Sequence, residues 1–259
     1  MSHAHVRRLW RHQGATVPSP RRGPRPRLDL DAILDAGIAI ADASGLGAVS
    51  TRAVAARFDL TAMALYPYVG TKENLLALME DHASAMPSWP DPSSLSGGLE
   101  AWALALYSVY LEHPWLTERP WAQASQGPNE QDWLERLLRI LLLWKVAPGS
   151  QPSAVTMLYA TVRACAETTA AYRRLTPEGM ADWRDQALAT RELIPDLCDR
   201  YPLSTGLEPI TAEWQDAPRA GLLGAVRLLA SALVSTAGGF RSGDRTASRP
   251  RVLSARRPR

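Results

Sequence analysis

Three sets of residues in this chain of 259 could do chemistry, and none of them assembles a reaction centre. Arginine is the first set: seven lie within residues 1–27, with no acid among them, and seven within 241–259 against Asp244 alone. Guanidinium groups on unpatterned chain pair with phosphates, and the extended run Arg21-Arg22-Gly23-Pro24-Arg25-Pro26-Arg27 suits a narrow minor groove. Tryptophan is the second set. Eight of the nine lie between residues 89 and 214, a surplus of flat aromatic surface that suits an aromatic or polycyclic ligand. The third set, the residues that would run catalysis or hold metal, is scattered. No Ser/His/Asp, Cys/His or paired-carboxylate arrangement stands out, and His82 and His113 have no evident partners. His3, His5 and His12 sit in a polar tail without other ligand-type residues, and Cys165 and Cys198 lack metal-site spacing. The expectation is no catalytic residue, no metal and no cofactor.

Charge sharpens the first point. The whole chain carries +3, yet the two ends carry +7 and +6, which leaves −10 on residues 28–240. An acidic body with two basic tails implies a polyanionic partner, most simply DNA. Residues 1–27 and 241–259 lack hydrophobic periodicity and read as a disordered basic arm and a disordered basic tail. The start of the chain is basic without the apolar stretch of a secretory signal, and no apolar run reaches the roughly 18 residues of a membrane span. With two cysteines, the reading is a cytoplasmic protein with no membrane contact.

The elements that would position a DNA contact lie between Val49 and Leu76. Ser50 can cap a helix whose apolar face is Val54, Ala55 and Phe58, with Val49 and Val54 spaced as a hydrophobic staple. Asp59-Leu60-Thr61 breaks that run, and Thr61 can cap a second helix carrying Met63, Leu65 and Tyr66. Thr71 caps a third, with Leu75, Leu76, Leu78 and Met79. Upstream, Asp29 opens a helix with Leu30, Ile33, Leu34, Gly37, Ile38 and Ile40 on a helical period, and Gly45 stops it. Two short helices joined by a tight turn form the helix-turn-helix unit, whose second helix enters a major groove.

Here the sequence resembles the TetR family of bacterial transcriptional regulators, over Leu28 to His82. The residues that carry the likeness are Ser50-Thr51-Arg52, Ala55, Leu65-Tyr66-x-Tyr68-Val69 and Lys72-Glu73-x-Leu75-Leu76. The resemblance implies that Ala62, Met63 and Ala64 reach base edges, where apolar side chains can read a thymine methyl. It places Arg52 at a position that contacts a base or phosphate, and Thr51, Tyr66, Tyr68, Thr71 and Lys72 at phosphate-contacting positions. Leu65 and Val69 belong to the core. The chain departs from the family pattern at two points. Asp59 replaces the usual turn glycine, and Pro67 stands inside the reading helix, where it removes one hydrogen bond and predicts a kink or early end. Residues 29–80 are also acidic, with three cationic side chains against seven anionic ones. DNA affinity is therefore expected to rest on Arg52, Lys72 and the Arg arm.

Beyond His82 the composition changes. Pro87, Pro90, Pro92 and the Ser93–Gly98 run read as a linker, followed by helices over 99–112, 130–146, 154–175 and 211–238, with a polar, less periodic stretch near 176–210. His113-Pro114-Trp115 and Gly127-Pro128-Asn129 look like C-terminal domains of actinobacterial-type TetR regulators. That resemblance implies a homodimer through helices near 153–174 and 211–237, and an enclosed pocket for a small molecule. Candidate pocket residues are Trp102, Tyr107, Trp115 and Trp121, then Trp133, Tyr159 and Trp183. Arg163 and Glu167, one helical turn apart, could orient a ligand's polar group or simply pair with each other.

The expected fold is all-α: an N-terminal three-helix helix-turn-helix DNA-binding domain (28–84) plus a larger helical dimerisation and ligand-binding domain (85–240), flanked by the arm 1–27 and the tail 241–259. The expected function is a DNA-binding transcriptional regulator, a repressor released from a double-stranded operator by a small hydrophobic or aromatic effector. The alternatives are an effector-independent regulator and a helical enzyme with a vestigial helix-turn-helix.

Overall fold

A computed structural model describes residues 3–14, 28–120, 124–206 and 216–239, and among these there is no strand. The first helix, α1 (His3–Leu9), is a departure from the expected disordered arm. Leu9 and His5 are buried, Arg11 pairs with Asp31, and the Arg8 guanidinium donates to the Pro67 carbonyl at 3.0 Å. The apolar spacing in this stretch is too short to register against its arginines, so only packing on the neighbouring domain makes it a helix. Residues 15–27, with the Arg-Gly-Pro run, lie outside the described residues, as does the tail 240–259.

The helix-turn-helix domain follows as α2 (Leu30–Ser44), α3 (Thr51–Ala56), α4 (Ala62–Val69) and α5 (Lys72–Ala83). Gly45 ends α2 at φ 80°, where a side chain would be strained. Ser50 Oγ accepts from the Ala53 amide at 3.0 Å and Thr71 Oγ1 from Asn74 at 3.2 Å, so both expected caps form. Thr61 holds the extended backbone of a cap, but its side chain accepts nothing from the helix. Val49, Val54, Leu65 and Val69 are fully buried, which fixes the angle between α3 and α4. Asp59 takes the left-handed turn conformation at φ 56°. Pro67 does not end α4, which runs two residues further and is closed by the Gly70 amide on Tyr66 O. Pro67 leaves only the carbonyl of Met63 without its helical donor, and Met63 is an exposed residue, where water can replace the bond.

The larger body consists of α6 (Leu95–Glu112), α7 (Pro128–Leu143), α8 (Gln151–Arg174), α9 (Pro177–Leu193), the single turns α10 (Leu197–Arg200) and α11 (Pro202–Thr205), and α12 (Ala217–Gly239). Its core forms where α6, α8 and α12 pack together, around Leu99, Trp102, Leu106, Leu158, Val162 and Leu222. Two expectations are corrected here. The supposed linker Ser93–Gly98 contributes the first turn of α6, capped by Ser94 Oγ on the Gly97 amide at 3.0 Å. The polar stretch after 176 contains the helix α9, opened by Thr176 and Pro177. In both, a Ser/Thr cap outweighs glycine or polar composition. Among the described residues, one 19-residue segment, Ala217–Ser235, is long and apolar enough to cross a membrane by length and composition. Arg219 and Arg227 interrupt it, and it packs Leu222, Val226, Ala230 and Leu233 into the body.

Candidate functional site

The reading surface is built from short elements whose inner faces are buried. Leu65 and Val69 anchor α4, and this turns Met63 outward, 73% exposed, between the half-buried Ala62 and Ala64. Arg52 at the start of α3 and Lys72 at the start of α5 are exposed, as are Tyr66 and Thr71. Thr51 and Tyr68 are half-buried. The nine residues thus share one region of the domain, the first turns of α3, α4 and α5 and the outer side of α4. A surface of methyl groups, a thioether and hydroxyls flanked by two cations can press on a groove and bind its phosphates.

Four of the seven acids of residues 29–80 are engaged elsewhere. Asp31 pairs with Arg11 and His12, and Asp35 with His82 at 3.0 Å. Asp42 accepts from Trp115 Nε1 at 2.7 Å and faces His113 Nδ1 at 2.9 Å. Glu80 accepts from Arg119 Nε at 2.7 Å. His82 and His113, which lacked evident partners in the sequence, therefore have carboxylates brought to them by packing. The charge of these four faces α1, His82 and the larger body, while Asp59 in the turn before α4 and Glu73 after Lys72 are exposed beside the reading face.

That joint is dense in polar contacts. The Asp81 carboxylate, 4% exposed, sits at the start of α7, where the Glu130 amide donates to Oδ1 at 3.2 Å. The Asn129 side chain donates to the Asp81 carbonyl at 2.9 Å, and Trp133 Nε1 donates to the Ser84 carbonyl at 2.7 Å. Burial raises the Asp81 carboxyl from 3.8 to about 6, although the Glu130 and Asn129 donors pull it back. Gly127 makes room for this carboxylate, since a Cβ there would run into its carbon and oxygens.

Beside the joint lies a cavity of about 70 Å³. Its aromatic walls are Trp133, Tyr110 and Tyr159, with Leu106 and Leu116 opposite, and its polar groups are Glu80, Arg119, Ser125, Glu130 and Arg163. Arg163 donates to the carbonyls of Thr117 and Arg119 and so holds the turn 114–119 against α8. Glu130 accepts from Ser125 Oγ at 2.9 Å and the Gln126 amide at 2.7 Å. Burial raises the Glu80 carboxyl, offset in part by Arg119, and pushes the Tyr110 phenol up to about 12.

Of the pocket residues expected from sequence, Trp133, Tyr159 and Arg163 meet at this cavity. Trp102 is buried behind it, edge-on to Trp133 and Tyr159, with its indole donating to the Trp133 carbonyl at 3.0 Å. Tyr107 bonds Thr169 at 2.7 Å beside a separate hollow of about 490 Å³. Trp115 is held by Asp42, and Glu167 pairs with Arg163 Nε at 3.2 Å on the outer side of α8. Trp121 and the Trp183 side chain lie outside what the structure describes. Among the described residues, no cluster of histidine, cysteine and carboxylate could hold a metal.

No family model matches the chain. An HTH-type transcriptional repressor of Streptomyces coeruleorubidus, DrrR1, is 33% identical over 201 residues, 74% of this chain and 73% of that protein. The TetR family protein ActR of Streptomyces coelicolor, in complex with actinorhodin, has a similar structure: TM-score 0.68 at 24% identity, covering 82% of this chain and all of that one. The chain belongs to the TetR family. An HTH-type transcriptional regulator of Saccharopolyspora erythraea is 29% identical over 120 residues, 43% of this chain and 48% of that protein.

TetR regulators bind operator DNA, act as dimers and bind small-molecule effectors, and this chain is a DNA-binding transcriptional regulator of that kind. The joint and the cavity's polar groups other than Arg163 were invisible to motif reading. Glu80, Asp81 and Ser84 sit just beyond the TetR motif, and Arg119 and Glu130 carry no spacing that ties them to it. One signal was present: the polar triplet Glu80-Asp81-His82 follows the apolar run Leu75–Met79 in the last turn of α5, which marks a surface that something polar must meet.

Proposed function

We propose that two copies of this chain, paired through α8 and α12, place their α4 helices in successive major grooves of an operator and repress transcription until a small aromatic molecule enters the cavity. The observation that carries this reading is the placement of α5. Its first turn presents Thr71 and Lys72 beside the reading helix, and its last turn supplies Glu80 to the cavity wall. A ligand that shifts that last turn moves the reader with it, and it controls binding to the extent that it prefers one of the two positions.

The pairing surface has supporting features. Met157, Ala160, Ala164, Thr168 and Ala171 form an exposed stripe along α8, and Leu228 and Val234 are exposed on α12. Small side chains at helical spacing let a second copy approach closely, and apolar ones reward its doing so. The complex of ActR with actinorhodin supports a small-molecule effector for this chain. A regulator working this way acts in the cytoplasm, and the Arg-rich segments at its two ends add phosphate contacts.

The test is selection of DNA fragments by the purified chain. A near-palindrome should emerge, and Arg52→Ala should weaken its binding about 10- to 100-fold, the loss of one Arg–base or Arg–phosphate contact. Sedimentation as a monomer at micromolar concentration, or unselective binding, would overturn the proposal. Release of the fragment by a small aromatic compound separates this reading from an effector-independent regulator.

A further inference from the structure

The reading helix α4 has eight residues, and its far end is not finished by the helix itself. The Gly70 amide closes on Tyr66, so the carbonyls after Tyr66 have no donor within α4. For Pro67 that donor comes from 59 residues upstream, where the Arg8 guanidinium gives a bond of 3.0 Å. A second Arg8 nitrogen lies 3.6 Å from where a Cβ on Gly70 would stand, so the guanidinium covers the turn into α5. A cation at the negative end of a helix dipole stabilises that end. Arg8 is brought there by α1, which packs on α5 and buries Leu9. The residues just after α1 reach two more places. Arg11 Nε donates to Asp31 of α2 at 2.8 Å, and Arg11 Nη2 lies 3.3 Å from His82 Nδ1 of α5. Arg11 Nη1 donates to the Arg8 carbonyl at 3.0 Å, which joins the two arginines.

We infer that Arg8 is a positioning residue for DNA recognition: α1 is a strap that ties the last turn of the reading helix to α2 and α5, and so sets the tilt at which Met63 meets the bases. This rests on reading α4 as the helix that enters the groove. Leu65 and Val69 seat the inner face of α4, but one buried face leaves so short a helix free to rock about it. The strap holds the end opposite Met63, and a swing of that end is carried to the first turn by the helix between them. The same side chain could instead be a phosphate ligand, since Thr71 and Lys72 follow the turn directly. The geometry favours positioning. Arg8 is half-buried and committed to a main-chain carbonyl, whereas Arg7 beside it is exposed. The two roles are separable, because base readout depends on where the reading helix sits and attraction to phosphate does not.

The test uses the full chain, its selected operator fragment and an unrelated duplex of equal length. Arg8→Ala should weaken operator binding about three- to tenfold, the loss of one charge-assisted bond to a main-chain carbonyl. Binding of the unrelated duplex and the salt slope of operator binding should not change. In the DNA-free chain the same variant should speed hydrogen exchange at the Val69 and Gly70 amides by a similar factor. Leu9→Ser unseats α1 without removing a charge and should reproduce both effects; Arg8→Ala decides alone if Leu9→Ser lowers the urea midpoint. Two results overturn the inference. One is operator affinity unchanged by Arg8→Ala. The other is a salt slope smaller by about 0.9 with equal weakening of both duplexes, the mark of a phosphate ligand. Arg52→Ala is the control for the reading face. If it weakens operator binding while Arg8→Ala does not, the strap is wrong and the reading face stands; if neither does, both fall.

Discussion

The reading surface and the cavity sit at opposite ends of α5, yet they are made in different ways. The surface is local: Ser50, Thr71 and the staple pair Val49 and Val54 act on partners three to five residues away, and together they set α3, α4 and the start of α5. The cavity is a meeting of α5, α6, α7, α8 and the turn 114–119, and its polar groups find each other only across the joint between domains. The difference teaches where control can enter. A surface defined by its own short helices stays intact when the rest of the molecule moves, whereas a cavity held by long-range ion pairs changes when one of them is exchanged.

The hardest test of the local side is to remove its anchor. Leu65→Ala should cost about 2–5 kcal/mol, enough to unfold the DNA-binding domain, read as a lower urea midpoint. Met63→Ala, two residues earlier on the same helix, should leave stability within about 0.5 kcal/mol while changing which DNA fragments are selected. Equal effects of the two on stability would mean that Met63 is not turned outward.

The long-range side is probed at the joint. Asp42→Ala strips the partner from the buried Trp115 indole and from His113, and leaving a buried donor unpaired should cost about 1–3 kcal/mol. Its folding defect should appear in the larger body as well as in the DNA-binding domain, detected by hydrogen exchange around residues 113–118.

The joint also carries a pH dependence. The folded Asp81 carboxyl titrates near 6 against 3.8 unfolded, so the folded state holds its proton more tightly. The stability this gives is full below 3.8 and lost as pH rises through 6. Asp81→Asn removes that loss. Between pH 4.5 and 8 the difference in unfolding free energy should move in favour of the variant by about 2 kcal/mol. A gap that does not change with pH would show that the charge at the start of α7 is hydrated.

How much was legible in the sequence follows the same division. The fold class, the helix-turn-helix and the candidate DNA contacts came from caps, spacing and a motif, because each depends on residues within one or two turns. The break that Pro67 predicts does not occur, since it costs only the carbonyl of the exposed Met63 its donor. The arm at 3–9 and the helix over 177–193 were underread, since basic or polar composition masked a few anchoring side chains. At the cavity, Trp133, Tyr159 and Arg163 were expected from residue type, while Glu80, Arg119 and Glu130 were not. Trp102 and Trp115 were named with them, but the aromatic surplus does not distinguish a wall from the core behind it.

By itself, the sequence determined an all-helical chain with a helix-turn-helix and an acidic body, because hydrophobic period, capping chemistry and net charge are properties of the chain read in order; that it is a regulator was implied by its resemblance to the TetR family. Only the tertiary structure decided where that acidity goes and what lines the cavity. Burial forces each charged group to find a partner, and the partner it finds is set by packing rather than by its place in the chain.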